Sequence, residues 1–135
     1  MKIKMTVTGN KAIFSDFKKE VQKTMENEIL RTTEAVADEA RTNARRDLGF
    51  LVNSITDEVD GLEGLVRVRA NYSPYVEFGT GALVDVPAGL EEYAIQFKGA
   101  GIKQVNLPPR PFLYPAWKTH TIRMMERLRK KYVGK

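Results

Sequence analysis

Hydrophobic positions at the start of the chain recur at every second residue. In residues 2–8 the apolar side chains are Ile3, Met5 and Val7, and the residues between them are polar. This period of two predicts a half-buried β-strand. A Gly-Asn pair ends the pattern, and the Asn10 side chain can accept a hydrogen bond in the first turn of a following helix.

The next segment, residues 11–46, repeats its hydrophobic positions every three or four residues. This period predicts one long amphipathic helix with charged residues on the opposite face. The second half of its stripe is mostly alanine, which allows close approach of another backbone, and we expect that backbone to belong to the protein's own sheet. Gly49 is expected to end the helix in a left-handed conformation. The stripe consists of Phe14, Phe17, Val21, Met25, Ile29, Thr32, Val36, Ala40 and Ala44.

Two β-prone segments, residues 54–59 and 65–70, follow the helix. The five residues between them include Gly61 and Gly64, which suit the unusual backbone angles of a hairpin loop. We expect the hairpin to pack its apolar face on the long helix and to leave the other face wet or in contact with a partner. The second segment separates its side chains accordingly, with Val66, Val68 and Ala70 on one face and Arg67 and Arg69 on the other.

Periodicity fades in residues 82–107, which contain scattered glycines and predict a long loop insertion with a short strand at residues 93–97. Loops of this length inside a domain are usually functional. We therefore predict that this loop is mobile in the free subunit and becomes ordered against a partner. A proline-rich entry then leads into a last helix, whose predicted buried stripe is Trp117, Thr121, Met124, Leu128 and Tyr132.

Together these elements predict one α+β domain over residues 1–135. In this fold the long N-terminal amphipathic helix and the C-terminal helix pack on a small antiparallel β-sheet. A chain of 135 residues suffices for one hydrophobic core, and its 42% hydrophobic and 29% charged residues are ordinary for a globular protein.

Composition narrows the chemistry that the chain can perform. The absence of cysteine excludes disulfides, thiolate nucleophiles and zinc–thiolate sites. A catalytic triad would have to use the single histidine, His120, which lies inside the last helix without an obvious nucleophile beside it. The acidic pairs at 38–39, 57–58 and 91–92 are sequence neighbours, which usually point apart on helices and strands. We therefore predict no enzyme activity and no catalytic, cofactor-binding or metal-binding residues.

Charge and hydropathy bear on partners and location. The net charge of +5 and a pI near 9.5 favour contact with phosphate backbones, so a basic nucleic-acid-binding module is the alternative function. The last helix carries the densest positive patch, but it lacks the interleaved aromatics that stack on bases. No window resembles a signal peptide or a membrane span, so we expect a soluble protein that is not secreted by the usual route and has no membrane partner.

Three segments of the chain have the form of motifs. The segment Tyr72-Ser-Pro-Tyr-Val-Glu-Phe-Gly-Thr-Gly81 joins a tyrosine–proline–tyrosine sequence to a Glu-Phe-Gly-Thr turn. It is preceded by Asp47-Leu-Gly-Phe-Leu-Val-Asn-Ser-Ile55 and followed by Arg110-Pro-Phe-Leu-Tyr-Pro-Ala116. In this order the segments resemble the motifs of the head-tail joining proteins of tailed bacteriophages, also called tail-completion or neck proteins. The segment at residues 47–55 departs from the family, because Asp47 and Leu48 stand where the family more often has a proline and a threonine before the glycine.

The resemblance implies a structural virion-assembly protein of a phage or prophage. Such proteins form a ring, six-fold in the family, at the head-proximal end of the tail and join the tail to the head. The implied partners are further copies of the chain, the head-completion or adaptor proteins, and the tail terminator or tail-tube protein. The implied location is the host cytoplasm during assembly and the neck or tail top of the mature virion. DNA in the channel, or an acidic partner, would meet Arg127, Arg129 and Lys130.

The tyrosine-rich segment suits an assembly surface because aromatic side chains offer large contact area at low entropic cost. In this interpretation Glu77 pairs with an arginine of a neighbour. The alternative is that Tyr75 and Phe78 merely cover the end of the core. The predicted subunit or partner interface consists of Tyr72, Pro74, Tyr75, Glu77, Phe78, Gly79, Thr80, Gly81, Arg110 and Phe112.

Overall fold

The computed structural model describes residues 1–6, 15–44, 49–80, 84–92 and 107–134. Within these ranges helices pack on a three-stranded antiparallel sheet of order β1-β3-β2, so the predicted α+β fold is confirmed. The elements are β1 (Lys2–Lys4), α1 (Ser15–Ala44), α2 (Gly49–Asn53), β2 (Ile55–Asp60), β3 (Glu63–Val68), α3 (Ser73–Phe78) and α4 (Leu113–Tyr132).

The long helix predicted from the hydrophobic stripe is α1, whose 30 residues extend about 45 Å. Its stripe is buried from Ile29 onward, as predicted. Phe17, however, is 58% exposed, so its predicted burial is wrong. The reason is that α4 ends near Thr24, whose Oγ1 lies 3.4 Å from Lys131 Nζ, and Phe17 extends beyond it. Phe14 and the predicted Asn10 cap lie outside the described residues.

The β2–β3 hairpin is tighter than predicted. Asp60 lies opposite Glu63, so the loop has two residues instead of five. Gly61 adopts a φ of +57° in this turn, as its predicted role requires. The prediction for Gly64 is wrong, because this glycine lies inside β3, where a Cβ atom would overlap the Thr33 side chain on α1. Close packing between helix and sheet, rather than a turn, requires the absence of a side chain there.

The edge strand β1 is shorter than the predicted residues 2–8. Ile3 lies opposite Gly64 and is 8% exposed, which confirms the inward face of the period-two pattern. Beyond the strand the Met5 N–H still donates to the Leu62 carbonyl at 2.9 Å. Residues 7 and 8 lie outside the described part of the chain.

Two short helices were not predicted. α2 begins at Gly49, so the expectation that Gly49 ends the long helix in a left-handed conformation is wrong. α3 lies within the tyrosine-rich segment. Helices of five and six residues contain fewer than two turns, and a hydrophobic repeat needs a longer window to become visible.

Among the described residues the core consists of two adjoining clusters along α1, and the Trp117 side chain packs against both. The alanines of α1 allow the hairpin and α4 to approach closely, as expected. The larger cluster contains Val36, Ala37, Ala40, Ala44, Leu51, Ile55, Val66, Ala70, Phe112 and Ala116, and the smaller one contains Ile3, Ile29, Met124 and Leu128.

α4 lies antiparallel along α1, and its predicted inner stripe is buried at Met124 and Leu128. Tyr132 was predicted to share that stripe but is 37% exposed, because it is the last residue of α4. Polar pairs follow the contact between the helices in register: Asn43 with Phe112, Glu39 with His120, and Glu28 with Arg127.

Of the loop predicted at residues 82–107, the structure describes residues 84–92 and 107. Residues 84–87 form no regular element and lead into a turn at residues 88 and 89, where Gly89 has a φ of +90°. The strand predicted at residues 93–97 lies outside the described residues.

Candidate functional site

The tyrosine-rich segment folds into α3, and two of its residues set the ends of that helix. Pro74 lies in the first turn, where a missing N–H removes no helical hydrogen bond. Gly79 ends the helix with a φ of +78°, and its N–H donates to the Tyr75 carbonyl at 3.0 Å. A residue with a side chain would be strained at this position.

Glu77 connects α3 to the start of α4, although it is a carboxylate with only 8% exposure. Its Oε2 accepts hydrogen bonds from the N–H groups of Phe112 and Leu113 at 2.9 and 3.0 Å. Its Oε1 accepts the N–H of Tyr114 at 2.8 Å. The first N–H groups of a helix lack partners within the helix, and a negative charge there also interacts favourably with the helix dipole. Glu77 therefore caps α4.

Further hydrogen bonds hold the segment that precedes α4 against α3. The Arg110 N–H donates to the Val76 carbonyl at 2.7 Å. The Thr80 N–H donates to the Leu107 carbonyl at 2.9 Å, and the Leu107 N–H donates to Thr80 Oγ1 at 2.9 Å. The structure thus brings together the tyrosine-rich segment and the arginine–proline–phenylalanine segment, which the sequence only showed as separate motifs.

Burial divides the residues predicted to form an interface. Phe78 is 6% exposed and covers the end of the core, as the alternative interpretation expected. The carboxylate of Glu77 is occupied by its own chain, so a helix cap replaces the expected pairing with a neighbour's arginine. Gly79 and Phe112 are also buried, whereas Gly81 lies outside the described residues. The members accessible to a partner are Tyr72, Pro74, Tyr75, Thr80 and Arg110.

Apolar side chains remain exposed around α3. Phe50 is 68% exposed, and its ring is tilted against that of Tyr72 with the centroids 6.2 Å apart. Residues 84–85 lie beside the helix because the Asp85 N–H donates to the carbonyl at its end at 2.8 Å. We refer to this surface as the signature face; it consists of the exposed Phe50, Tyr75, Val84 and Leu107 and the half-buried Tyr72.

A second apolar surface lies at the other end of the α1–α4 pair. It is a groove of about 620 Å³ between the end of β1, α1 and the last turns of α4. Met125 and Val133 in its lining are 55% and 78% exposed. We refer to it as the distal groove; it is lined by Met5, Met25, Thr121, Ile122, Met125, Glu126, Leu128, Arg129, Tyr132 and Val133.

The sequence contains a signal for the distal groove that the prediction missed. Ile122, Met125 and Val133 lie off the inner stripe of α4, and together with Arg129 they recur at helical steps of three and four residues. A helix with two apolar stripes has a wider hydrophobic arc than one contact surface requires. Assigning one stripe to the core left the other without an explanation.

The three predicted DNA-channel residues differ in accessibility. Arg127 is half-buried, and its guanidinium contacts Glu28 across the α1–α4 contact, with Nη2 2.6 Å from Glu28 Oε2. Arg129 and Lys130 are exposed on the last turns of α4. Arg129 and Lys130 are therefore the two of the three side chains that take no part in the contact between α1 and α4 among the described residues.

A cavity of about 480 Å³ lies beside Glu77, between β1, β3, α3 and the start of α4. The Met1 ammonium on its wall donates to the Val66 carbonyl at 2.8 Å; burial lowers the pKa of this group, and the Glu77 charge partly offsets the effect. Because Glu77 already accepts three backbone hydrogen bonds, it is poorly placed for acid–base chemistry. Among the described residues, no group of three His, Cys, Asp or Glu side chains is placed to hold a metal ion.

Residues 11–79 match a protein-family model whose description reads "Bacteriophage HK97-gp10, putative tail-component". The match covers just over half of the chain and ends at the glycine that terminates α3. The chain belongs to the HK97-gp10-like family. This membership confirms that the chain belongs to a family of tailed-phage proteins, as the sequence motifs predicted. No curated protein and no solved structure shows significant similarity to the chain.

As a tail component, the HK97-gp10-like protein is a structural part of the virion and interacts with other virion proteins. None of its described helices is long and apolar enough to cross a membrane.

Proposed function

We propose that this HK97-gp10-like protein forms a ring, hexameric as in the head-tail joining proteins, at the head-proximal end of the tail, and that this ring joins the tail to the head. The observation that carries the proposal is the family match over residues 11–79, because the matched region contains most of the motif that resembles head-tail joining proteins. Beyond its own copies, the partners are the head-completion or adaptor proteins and the tail terminator or tail-tube protein.

The distribution of exposed apolar side chains supports a role in assembly. A subunit of a closed ring needs two different surfaces, one for each neighbour. Here the signature face and the distal groove lie at opposite ends of the antiparallel α1–α4 pair. Large apolar side chains in contiguous patches on a small protein are typical of interaction sites.

Deletion of the gene from its phage or prophage tests the joining role. We expect negative-stain microscopy of the lysate to show full heads beside unattached tails, and we expect the wild-type gene supplied in trans to restore joined virions. Normal joined virions from the deletion strain would leave the family resemblance as one of fold and would refute the joining role.

The second candidate, a nucleic-acid-binding module, is favoured by the exposed Arg129 and Lys130 on a helix that contains six lysines or arginines and one glutamate. It predicts that the purified protein binds duplex DNA and that its affinity falls steeply with salt. The reason is that lysines and arginines bound to phosphates displace the salt cations condensed on the DNA, and added salt opposes this release. Charge reversal at Arg129 and Lys130 should then abolish binding. Arg127 is left unchanged in this variant, since its ion pair with Glu28 supports the fold.

A further inference from the structure

One segment that contributes to the signature face is acidic, and the end of α4 beside the distal groove is basic. The segment of residues 84–92, which contributes Val84 to the signature face, carries Asp85, Glu91 and Glu92, all exposed, and no basic residue. The exposed Arg110 lies on the other segment that is hydrogen-bonded to α3. At the distal groove, Arg129 forms part of the lining and Lys130 follows it on the exposed side. Glu126 is the acidic residue in the groove lining, and it is outnumbered by the basic residues of the last turns of α4.

We propose that the distal groove of one copy receives the signature face of the next copy, with Arg129 and Lys130 against the acidic residues 84–92. This inference rests on the proposed ring and names the two surfaces that form each subunit contact. Apolar side chains would be removed from water on both sides of the contact. The opposite charges at its rim would favour this orientation over others.

Charge also argues against a two-fold contact between two grooves. Such a contact would place Arg129 and Lys130 of one copy against the same residues of the other, and like charges across an interface are costly. A two-fold contact also uses the same patch on both partners and closes at a dimer. A contact between two different surfaces leaves one of each free, so further copies can be added until a ring closes.

The side chains that line the groove suit a surface that is filled on assembly. Met5, Met25 and Met125 are unbranched and flexible, so they can adapt to aromatic side chains such as Phe50 and Tyr75. Tyrosine and phenylalanine on the signature face have the complementary property of being large and rigid. The groove volume of about 620 Å³ provides room for such side chains.

Cysteine cross-linking tests the contact directly, because the chain has no cysteine of its own. Met125→Cys and Tyr75→Cys chains are co-expressed in cells infected with phage lacking the gene, and the assembled tails are treated with a bismaleimide that has a flexible arm. Val133→Cys with Phe50→Cys provides an independent pair. We expect cross-linked dimers only when both members of a pair are present, and a ladder of higher species when one chain carries both substitutions. Dimers from Met125→Cys alone, or no cross-link from either pair, would overturn the proposal.

A charge exchange tests the rim of the contact. We expect the double change Arg129→Glu with Lys130→Glu to give unattached tails in the complementation assay. Adding Asp85→Lys and Glu92→Lys to the same chain should restore joined virions, since every contact then regains opposite charges. Arg67→Glu with Arg69→Glu serves as the matched control, because these exposed arginines lie outside both surfaces. If Asp85→Lys with Glu92→Lys fails to restore joined virions, the proposed contact between Arg129 and Lys130 and the acidic residues 84–92 is wrong.

An apolar variant separates this inference from the joining role itself. Met125→Asp should fail to complement, whereas Leu30→Asp, at an apolar position with 44% exposure outside both surfaces, should complement. If the deletion separates heads from tails but Met125→Asp complements as well as wild type, the joining role stands and the proposed contact is wrong. If the deletion leaves joined virions, both are wrong.

Discussion

Met124 and Met125 are neighbours in α4, yet Met124 is 2% exposed and Met125 is 55% exposed. The first belongs to an inner face that packs on α1 and the sheet, and the second to an outer face that lines the distal groove. Both faces are apolar, so hydrophobicity alone does not distinguish a core from a contact surface. The difference arises because α1 and the sheet cover only part of the apolar arc of α4. The uncovered part indicates where a partner can bind.

The two methionines provide the most direct test of this difference. Met124→Ala should lower the free energy of unfolding by about 3–4 kcal/mol, because it removes buried contacts and leaves a cavity. Met125→Ala should change it by less than about 0.5 kcal/mol, as is usual for surface positions. Urea unfolding of the purified variants measures both values. Similar losses for the two variants would mean that the outer face is also part of the core of the isolated chain.

Both faces of α4 depend on the hydrogen bonds that hold the start of this helix. Glu77→Ala should lower the free energy of unfolding by about 2–3 kcal/mol, because three N–H groups at the start of the helix lose a charged acceptor. Glu34→Ala, an exposed carboxylate on α1, is the control and should have little effect. Equal stability of the Glu77→Ala protein and the control would show that α4 does not need this cap.

The buried core that the inner face of α4 joins also includes a close contact between α1 and β3. Gly64→Ala should lower the free energy of unfolding by about 1–2 kcal/mol, because the new Cβ overlaps the Thr33 side chain. Thr33→Ala should relieve part of this loss, and Thr33 Oγ1 has no hydrogen-bond partner among the described residues. A double-mutant cycle should therefore show favourable coupling of about 1 kcal/mol. Additive effects would mean that helix and sheet are farther apart than the structure shows.

The smallest expected effect concerns the exposed ion pair between Lys2 on β1 and Glu63 at the start of β3. The hydrogen bond from Lys2 is the main cause that holds the pKa of Glu63 below its usual value of 4.5. A lowered pKa in the folded state means that the pair stabilises the protein above pH 4.5 and that this contribution is lost as the pH falls through the folded-state pKa. The Tm of wild type should slightly exceed that of Glu63→Gln at neutral pH, and the difference should disappear in acid. A Tm difference that persists in acid would show that the ion pair between Lys2 and Glu63 is not its cause.

Sequence periodicity predicted the elements that are long enough to show it. α1, α4 and the two hairpin strands follow from repeats of three to four residues or of two residues. It missed α2 and α3, which are too short to repeat, and it placed Gly64 in the turn because close approach of a distant helix leaves no local pattern. The cap on α4 was missed for a related reason, since Glu77 and Phe112 are 35 residues apart in sequence.

For the candidate site, the motifs predicted an interface, and the structure gives several of the predicted residues roles within the fold. Tyr75 of the tyrosine-rich motif is exposed, whereas Tyr72 is half-buried and packs against the core. The motif's glutamate, phenylalanine and glycine serve the fold, because they cap a helix, fill the core and end α3. Local sequence does not reveal whether a residue such as Glu77 faces its own chain or a neighbour, since that depends on where α4 begins in space.

The two hydrogen bonds between Thr80 and Leu107 have a consequence for how such proteins can diversify. They hold together the two ends of the segment between these residues, so the residue before this segment and the residue after it lie side by side. The free energy needed to close a loop rises only slowly with the number of residues in it. Insertions and deletions in this segment can therefore accumulate without displacing α4, and one scaffold can be fitted to neighbours of different shape.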